Sequence, residues 1–186
     1  MPIKYEKESS FLSSEEIRSI EEWTSEMKKY PLLIPIVKRK IAQRTLEIPH
    51  KNIGNGLNRM VYDLGNGYVL KIALSEIGLI SNAQEFRLYH FSHPDIQQYL
   101  CPVMEKGQGW IVMKKMDHKA SMNLVNLQKL SDLIIKFLLH GIVPVDLKLA
   151  NIALTHDNEM VVIDYGLFIK TLYGKTVDSN DYIHSE

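Results

Sequence analysis

Apolar and polar positions change rhythm several times along the chain. In residues 13 to 29, "SSEEIRSIEEWTSEMKK", the apolar residues Ile17, Ile20, Trp23 and Met27 recur at helical spacing on one face. Ser13 or Ser14 suits the cap of that helix, and Glu15 and Glu16 suit its positive end. Pro31 and Pro35 bracket "LLI" and interrupt the pattern, with a second helical stretch predicted around residues 36 to 45.

From residue 46 the rhythm becomes alternation. A strand is predicted to about Ile53, a Gly-rich loop from Gly54 to Asn58, then "RMVYDL" and "YVLKIA" joined by "GNG", a strong hairpin signal. "EIGLISNAQEFRLYHFS" reads as a helix ended by "HPD", and "LCPVME" and "WIVMKKM" flank "KGQG" as a second hairpin. These pieces make a five-stranded sheet with one helix. Leu124, Leu127, Leu130, Ile134 and Phe137 then fit a helical face that Gly141 stops, and "NIALT" and "MVVID" follow as two short strands.

Composition narrows the class. The 186 residues, 45% hydrophobic and 24% charged, suffice for one substantial core. Lys plus Arg (22) balances Asp plus Glu (22), which leaves no global field to draw nucleic acid or an anionic membrane, and neither partner is expected. One cysteine, Cys101, allows no internal disulfide and reads as a small buried hydrophobe. "MPIKYEKESS" carries no apolar signal segment and no run is long enough to span a bilayer, so a cytoplasmic address is expected. The seven histidines show no zinc-type spacing, and "KRK" at 38 to 40 reads as a solvated helix face.

The chemistry gathers in "GIVPVDLKLANIALTHDNEMVVIDYG", where Asp146, Asn151 and Asp164 stand between apolar runs and are expected to lie buried near one another. Phosphoryl transfer needs held phosphates, a divalent metal and a group that orients the acceptor hydroxyl. Magnesium prefers hard oxygen ligands, so Asn151 and Asp164 are candidate metal ligands and Asp146 the candidate for the proton.

"VDLKLAN" followed by "VIDYG" resembles the catalytic loop and metal-binding motif of eukaryotic-type protein kinases, with matching gaps from Asp146 to Asn151 and from Asn151 to Asp164. "GNGLNRMV" resembles their Gly-rich loop, through Gly54, Gly56 and Val61, with Arg59 where the third glycine belongs. "VLKIA" resembles the strand of the nucleotide lysine; alternation puts Val69 and Lys71 on one face, and Glu85 is the ion-pair partner the resemblance implies for Lys71. The resemblance further implies a hinge at "IVMKKMD", with Met113 at the back of an adenine pocket and Met116 near its rim, Ala153 in its floor, and Lys148 reaching the transferring phosphate. Singly, each signal has a plain alternative, such as a turn, a snorkelling lysine or a helix cap. Their joint order carries the reading.

The implied fold is α+β and bilobal: a five-stranded antiparallel upper lobe with one helix, and a reduced, mostly helical lower lobe. The implied boundaries are a helical extension at 1–47, the upper lobe and hinge at 48–117 and the lower lobe at 118–186. The implied activity is ATP- and Mg²⁺-dependent phosphotransfer of serine/threonine type to a protein substrate; the alternative is a catalytically weak pseudokinase that binds a nucleotide or partner and regulates it. Phosphorylation of a small molecule and nucleotidyl transfer are further possibilities.

Two further departures qualify the resemblance. Pro144 and Val145 replace the family's histidine and arginine before Asp146, which argues against control by a phosphorylated activation loop. Only twenty residues follow Gly166, so the chain resembles a kinase truncated after its metal-binding loop. Either the N-terminal 47 residues replace the missing lobe through Trp23, Leu32, Leu33 and Ile36, or a partner or second copy covers the exposed face. Thr171, Tyr173 and Thr176 are candidate phosphate acceptors in the tail.

Overall fold

A computed structural model of the chain describes residues 9–171; Tyr173 and Thr176 lie outside them. Helix α1 (Ser14–Lys28) begins in a full capping box, in which Ser13 accepts from the Glu16 amide and Glu16 accepts from the Ser13 amide. Helix α2 (Pro35–Thr45) follows with proline in its first turn. Five strands then form one antiparallel sheet: β1 (Lys51–Asn55), β2 (Arg59–Asp63), β3 (Tyr68–Ala73), β4 (Val103–Gly107) and β5 (Trp110–Lys114), in the order β1-β2-β3-β5-β4. Helix α3 (Glu76–Phe91) and the single turn α4 (Pro94–Gln97) connect β3 to β4.

The lower part is small. It holds β6 (His118–Lys119), helix α5 (Leu124–Leu139), β7 (Ile142–Val143), a 3-10 turn (Leu149–Asn151), β8 (Ile152–Leu154), β9 (Met160–Val162) and β10 (Ile169–Lys170). Strands β6, β8 and β9 form one small sheet and β7 and β10 another. The Cys101 amide donates to the Val162 carbonyl at 2.9 Å and the Val162 amide to Tyr99 at 2.8 Å, which anchors β9 to the segment leading into β4.

Period-two alternation sorts the sheet's side chains into two cores. Met60, Tyr62, Leu70, Ile72 and Val112 face outward and are covered by Leu12, Ile20, Trp23 and Met27. The opposite face gives Val69, Ile111 and Met113 to a core shared with Leu88 of α3, Phe137 of α5 and Ile152 and Val162 of the lower hairpin. The N-terminal extension therefore covers the outer face of the upper sheet and does not rebuild a lower lobe. Trp23 is buried and its indole donates to the Ala73 carbonyl at 2.8 Å, whereas Leu32 and Ile36 are exposed.

Several boundaries differ from the sequence expectation. The first strand starts at Lys51 and runs through Gly54, with a bulge after Asn52; Leu46 and Ile48 precede it as a connector packed against the outer core. The buried residues of α5 are Asn126, Leu133 and Phe137, while Leu124 and Leu127 are exposed. Apolar residues of this helix also fall among Gln128, Lys129, Asp132 and Lys136 on its polar side, and Asn126, which donates to the Ser121 carbonyl, turns inward at its start. The "KRK" segment is not a solvated face: Lys38 is buried against the Pro31 carbonyl, and Arg39 donates to the Gly56 carbonyl at 2.6 Å. Among the described residues no helix is long and apolar enough to cross a membrane.

Candidate active site

Strand β3 projects Lys71 into the cleft between the sheet and the lower hairpin, and α3 brings Glu85 opposite it. Lys71 Nζ donates to Glu85 Oε1 at 3.1 Å and Oε2 at 3.2 Å, and to the Ile163 carbonyl at 2.8 Å. Glu85 is fully buried, and a carboxylate so placed must be matched by cations and donors. The Tyr165 amide adds a further bond at 3.1 Å, so the "DYG" turn is tied to α3 through the same carboxylate.

Two glycines allow this approach. A Cβ on Gly166 would stand 2.5 Å from the Cβ and 2.9 Å from the Cα of Ser81, and one on Gly78 would stand 2.2 Å from the Asn58 carbonyl oxygen. Helix α3 thus packs tightly against both the turn after Asp164 and the loop before β2.

Arg59 completes the cluster. Its guanidinium donates to both oxygens of Glu85, at 2.7 and 3.1 Å, and to Asp164 Oδ1 at 2.5 Å. Burial works against the arginine's charge, but Glu85 and Asp164 outweigh it and raise its pKa further. Burial likewise pushes the Asp164 carboxyl up; Arg59 and then Lys71 prevail and hold it below its ordinary value. Sequence reading met Arg59 only as a missing glycine. The available signal was its alternation with Val61, which places a cation on the cleft face of β2 beside Lys71 of β3.

Asp146, Lys148 and Asn151 are bonded to one another. Asp146 adopts a left-handed backbone, φ 59°, which Asp tolerates better than most residues. Both its oxygens lie 3.0 Å from Lys148 Nζ, and its carbonyl accepts from Asn151 Nδ2 at 3.0 Å, leaving the amide oxygen of Asn151 as the acceptor. Asn151 leads directly into β8 and Asp164 closely follows β9; those strands pair, and the Ile163 amide donates to the Asn151 carbonyl at 2.9 Å. The expectation of burial fails for the two carboxylates: the side chains of Asp146 and Asp164 are 53% and 49% exposed.

The other predicted positions divide by depth. Val69 pairs with Met113 across β3 and β5, both buried, and Val61 and Met116 pack at the edge of the same core. Ala153 is buried in the middle of β8, paired with Val161 and Lys119. Gly54 ends the bulge of β1 with Val61 as its cross-strand neighbour, and the Gly56 amide donates to the Arg59 carbonyl, closing the turn before β2. The donor set fits a hard divalent cation, since Asn151 and Asp164 offer oxygen alone.

One groove lies apart from this cleft. It measures about 620 Å³, between α3 and the segment after Gly166, and its lining includes Ile80, Phe91, Leu167 and Ile169. The charged end of the cleft is instead drawn together by the bonds from Arg59 and Lys71. Three-dimensional proximity also gathers His93, Asp95 and His140, which sequence spacing did not reveal.

No family model matches the chain, and neither does any curated protein. Solved structures do. WbdD in complex with the kinase inhibitor LY294002 matches with a TM-score of 0.54 at 16% identity, over 68% of this chain and 34% of that one. A second WbdD structure gives 0.52 at 17% identity, over 67% and 34%. The chain spans about a third of the length of these structures. With its five-stranded antiparallel sheet, its helix carrying Glu85 and its hairpin leading to Asp164, the chain has a protein kinase-like fold.

Proposed function

We propose that the chain is an ATP- and Mg²⁺-dependent phosphotransferase that moves the γ-phosphate to a serine or threonine hydroxyl of a protein. The observation that carries this reading is the convergence of Lys71, Glu85 and Asp164 in one cluster, Lys71 bonded to Glu85 and Asp164 linked to Glu85 through Arg59, with Asn151 leading into the strand paired with the one before Asp164. Lys71, oriented by Glu85, holds phosphate oxygens, and the backbone around Gly54 and Gly56 covers them. Asn151 and Asp164 hold the metal, which when bound neutralises charge on the phosphates. Asp146 accepts the hydroxyl proton as the new O–P bond forms and the bond to ADP breaks, and Lys148 offsets the charge that develops. Val69, Met113, Met116 and Ala153 shape the adenine side. In this reading residues 1–47 form an accessory extension, 48–117 the upper lobe and hinge, and 118–186 the lower lobe.

One feature favours the second reading, a regulatory nucleotide- or partner-binding module: Arg59 is bonded to the carboxylate assigned to metal. The exposed apolar residues Met122, Leu124, Val125 and Leu139 on and before α5 support a protein partner or second copy on the lower part. Asp146→Ala separates the two functions. Removing a group that acts only in transfer lowers the rate by about 10²-fold or more while nucleotide binding stays within about twofold, measured by labelled-phosphate transfer and by calorimetry. Equal loss of binding and transfer removes Asp146 from its assigned role. Binding without turnover in the unaltered chain selects the regulatory module.

A further inference from the structure

Arg59 is the charged residue in the cleft to which the phosphotransfer scheme gives no role. It is 8% exposed, and its guanidinium bridges α3 and the "DYG" turn, with a fork on Glu85 and one bond to Asp164. Asn82 Oδ1 lies 3.4 Å from Nη1. Glu85 does not depend on this arginine, because Lys71 and the Tyr165 amide also donate to it. The distinct contribution of Arg59 is therefore to cover Asp164. The cluster balances two cations, Arg59 and Lys71, against two carboxylates, Glu85 and Asp164.

Adding a divalent cation to a balanced set leaves two positive charges in excess, in a partly water-excluded site where charges are weakly screened. The cation and the guanidinium also want the same carboxylate. Nucleotide phosphates relieve both problems, since they bring negative charge and offer the guanidinium a bidentate partner of the kind it matches well.

We propose that Arg59 is an internal counter-ion that competes with the divalent metal for Asp164, so that metal loading is an exchange driven by the arrival of phosphate groups. This rests on the metal role assigned to Asp164 under the proposed function. Its consequence is that metal alone binds weakly to the resting protein.

The test is direct Mn²⁺ binding by electron paramagnetic resonance, on the full chain without nucleotide. Loss of a charge-assisted bond to a half-exposed carboxylate makes Arg59→Met bind Mn²⁺ about tenfold more tightly than the unaltered chain. In the double variant Arg59→Met, Asp164→Asn the gain disappears. Arg59→Lys keeps a cation opposite Glu85, loses the fork, and shows an intermediate gain; it serves if the Met variant does not fold. Unchanged or weaker Mn²⁺ binding in the folded Met or Lys variant overturns the inference, and so does a gain that survives loss of Asp164. The assay does not depend on turnover, so the two readings fail separately. Phosphate transfer with no gain in metal affinity removes the competition alone, and a gain in metal affinity without transfer removes the phosphotransferase reading alone.

Discussion

At the scale of single residues, burial and partners decide which groups are reactive. Cys101 is 2% exposed, its thiol donates to the Lys114 carbonyl at 3.1 Å, and burial pushes its pKa up to about 12. A raised thiol pKa keeps the group neutral through the whole physiological range, and the thiolate is the nucleophile. Native protein at pH 8 is therefore expected to resist iodoacetamide and to react once unfolded in urea; fast stoichiometric labelling of the native state contradicts this. The Lys71–Glu85 ion pair, which the resemblance implied, is present. Exposure was not legible, because apolar neighbours in sequence do not fix where a side chain ends: Asp146 and Asp164 sit beside apolar runs and are half exposed. The contacts of Arg59 were not legible, because the comparison at its position was with glycine, and an absent side chain says nothing of where a long one goes.

At the scale of elements, close approach of α3 to the "DYG" turn sets the site. Gly166→Ala places a methyl against the Ser81 backbone, which must move for the chain to fit. Overpacking of this kind costs about 1–3 kcal/mol and displaces Glu85 from Tyr165. Urea unfolding is expected to shift to lower midpoint, with nucleotide affinity lost beyond what stability explains; an unaltered midpoint contradicts the packing argument. Strand positions were readable because alternation and the "GNG" turn specify one register, seen in the pairing of Met60 with Ile72 and Tyr62 with Leu70. The buried stripe of α5 was not, since leucines at 124, 127, 130, 133, 138 and 139 allow more than one apolar face. Tertiary contact, led by Leu133 and Phe137, selects among them.

At the scale of the whole molecule, the extension is part of the upper core. Trp23 is 1% exposed and bonds the end of β3, and Ile20 and Met27 flank it over the sheet. Trp23→Ala is expected to cost about 3–5 kcal/mol, read from the denaturant midpoint. A change below about 1 kcal/mol would make the helix a dispensable cover. Helix α2 reaches further, through Arg39 to the Gly56 carbonyl, so the extension also touches the loop over the proposed phosphate site. Sequence periodicity found α1 and its apolar face but not what that face covers, because an amphipathic stripe specifies burial without naming the partner.

The most direct measurement of the central claim is the mass of the group added to a protein hydroxyl after incubation with Mg²⁺ and ATP, comparing the unaltered chain with Asp146→Ala on proteins of a cell extract. A phosphate on serine or threonine, dependent on Asp146, is the predicted result. An adenylyl group in its place, or identical products with both proteins, contradicts the account.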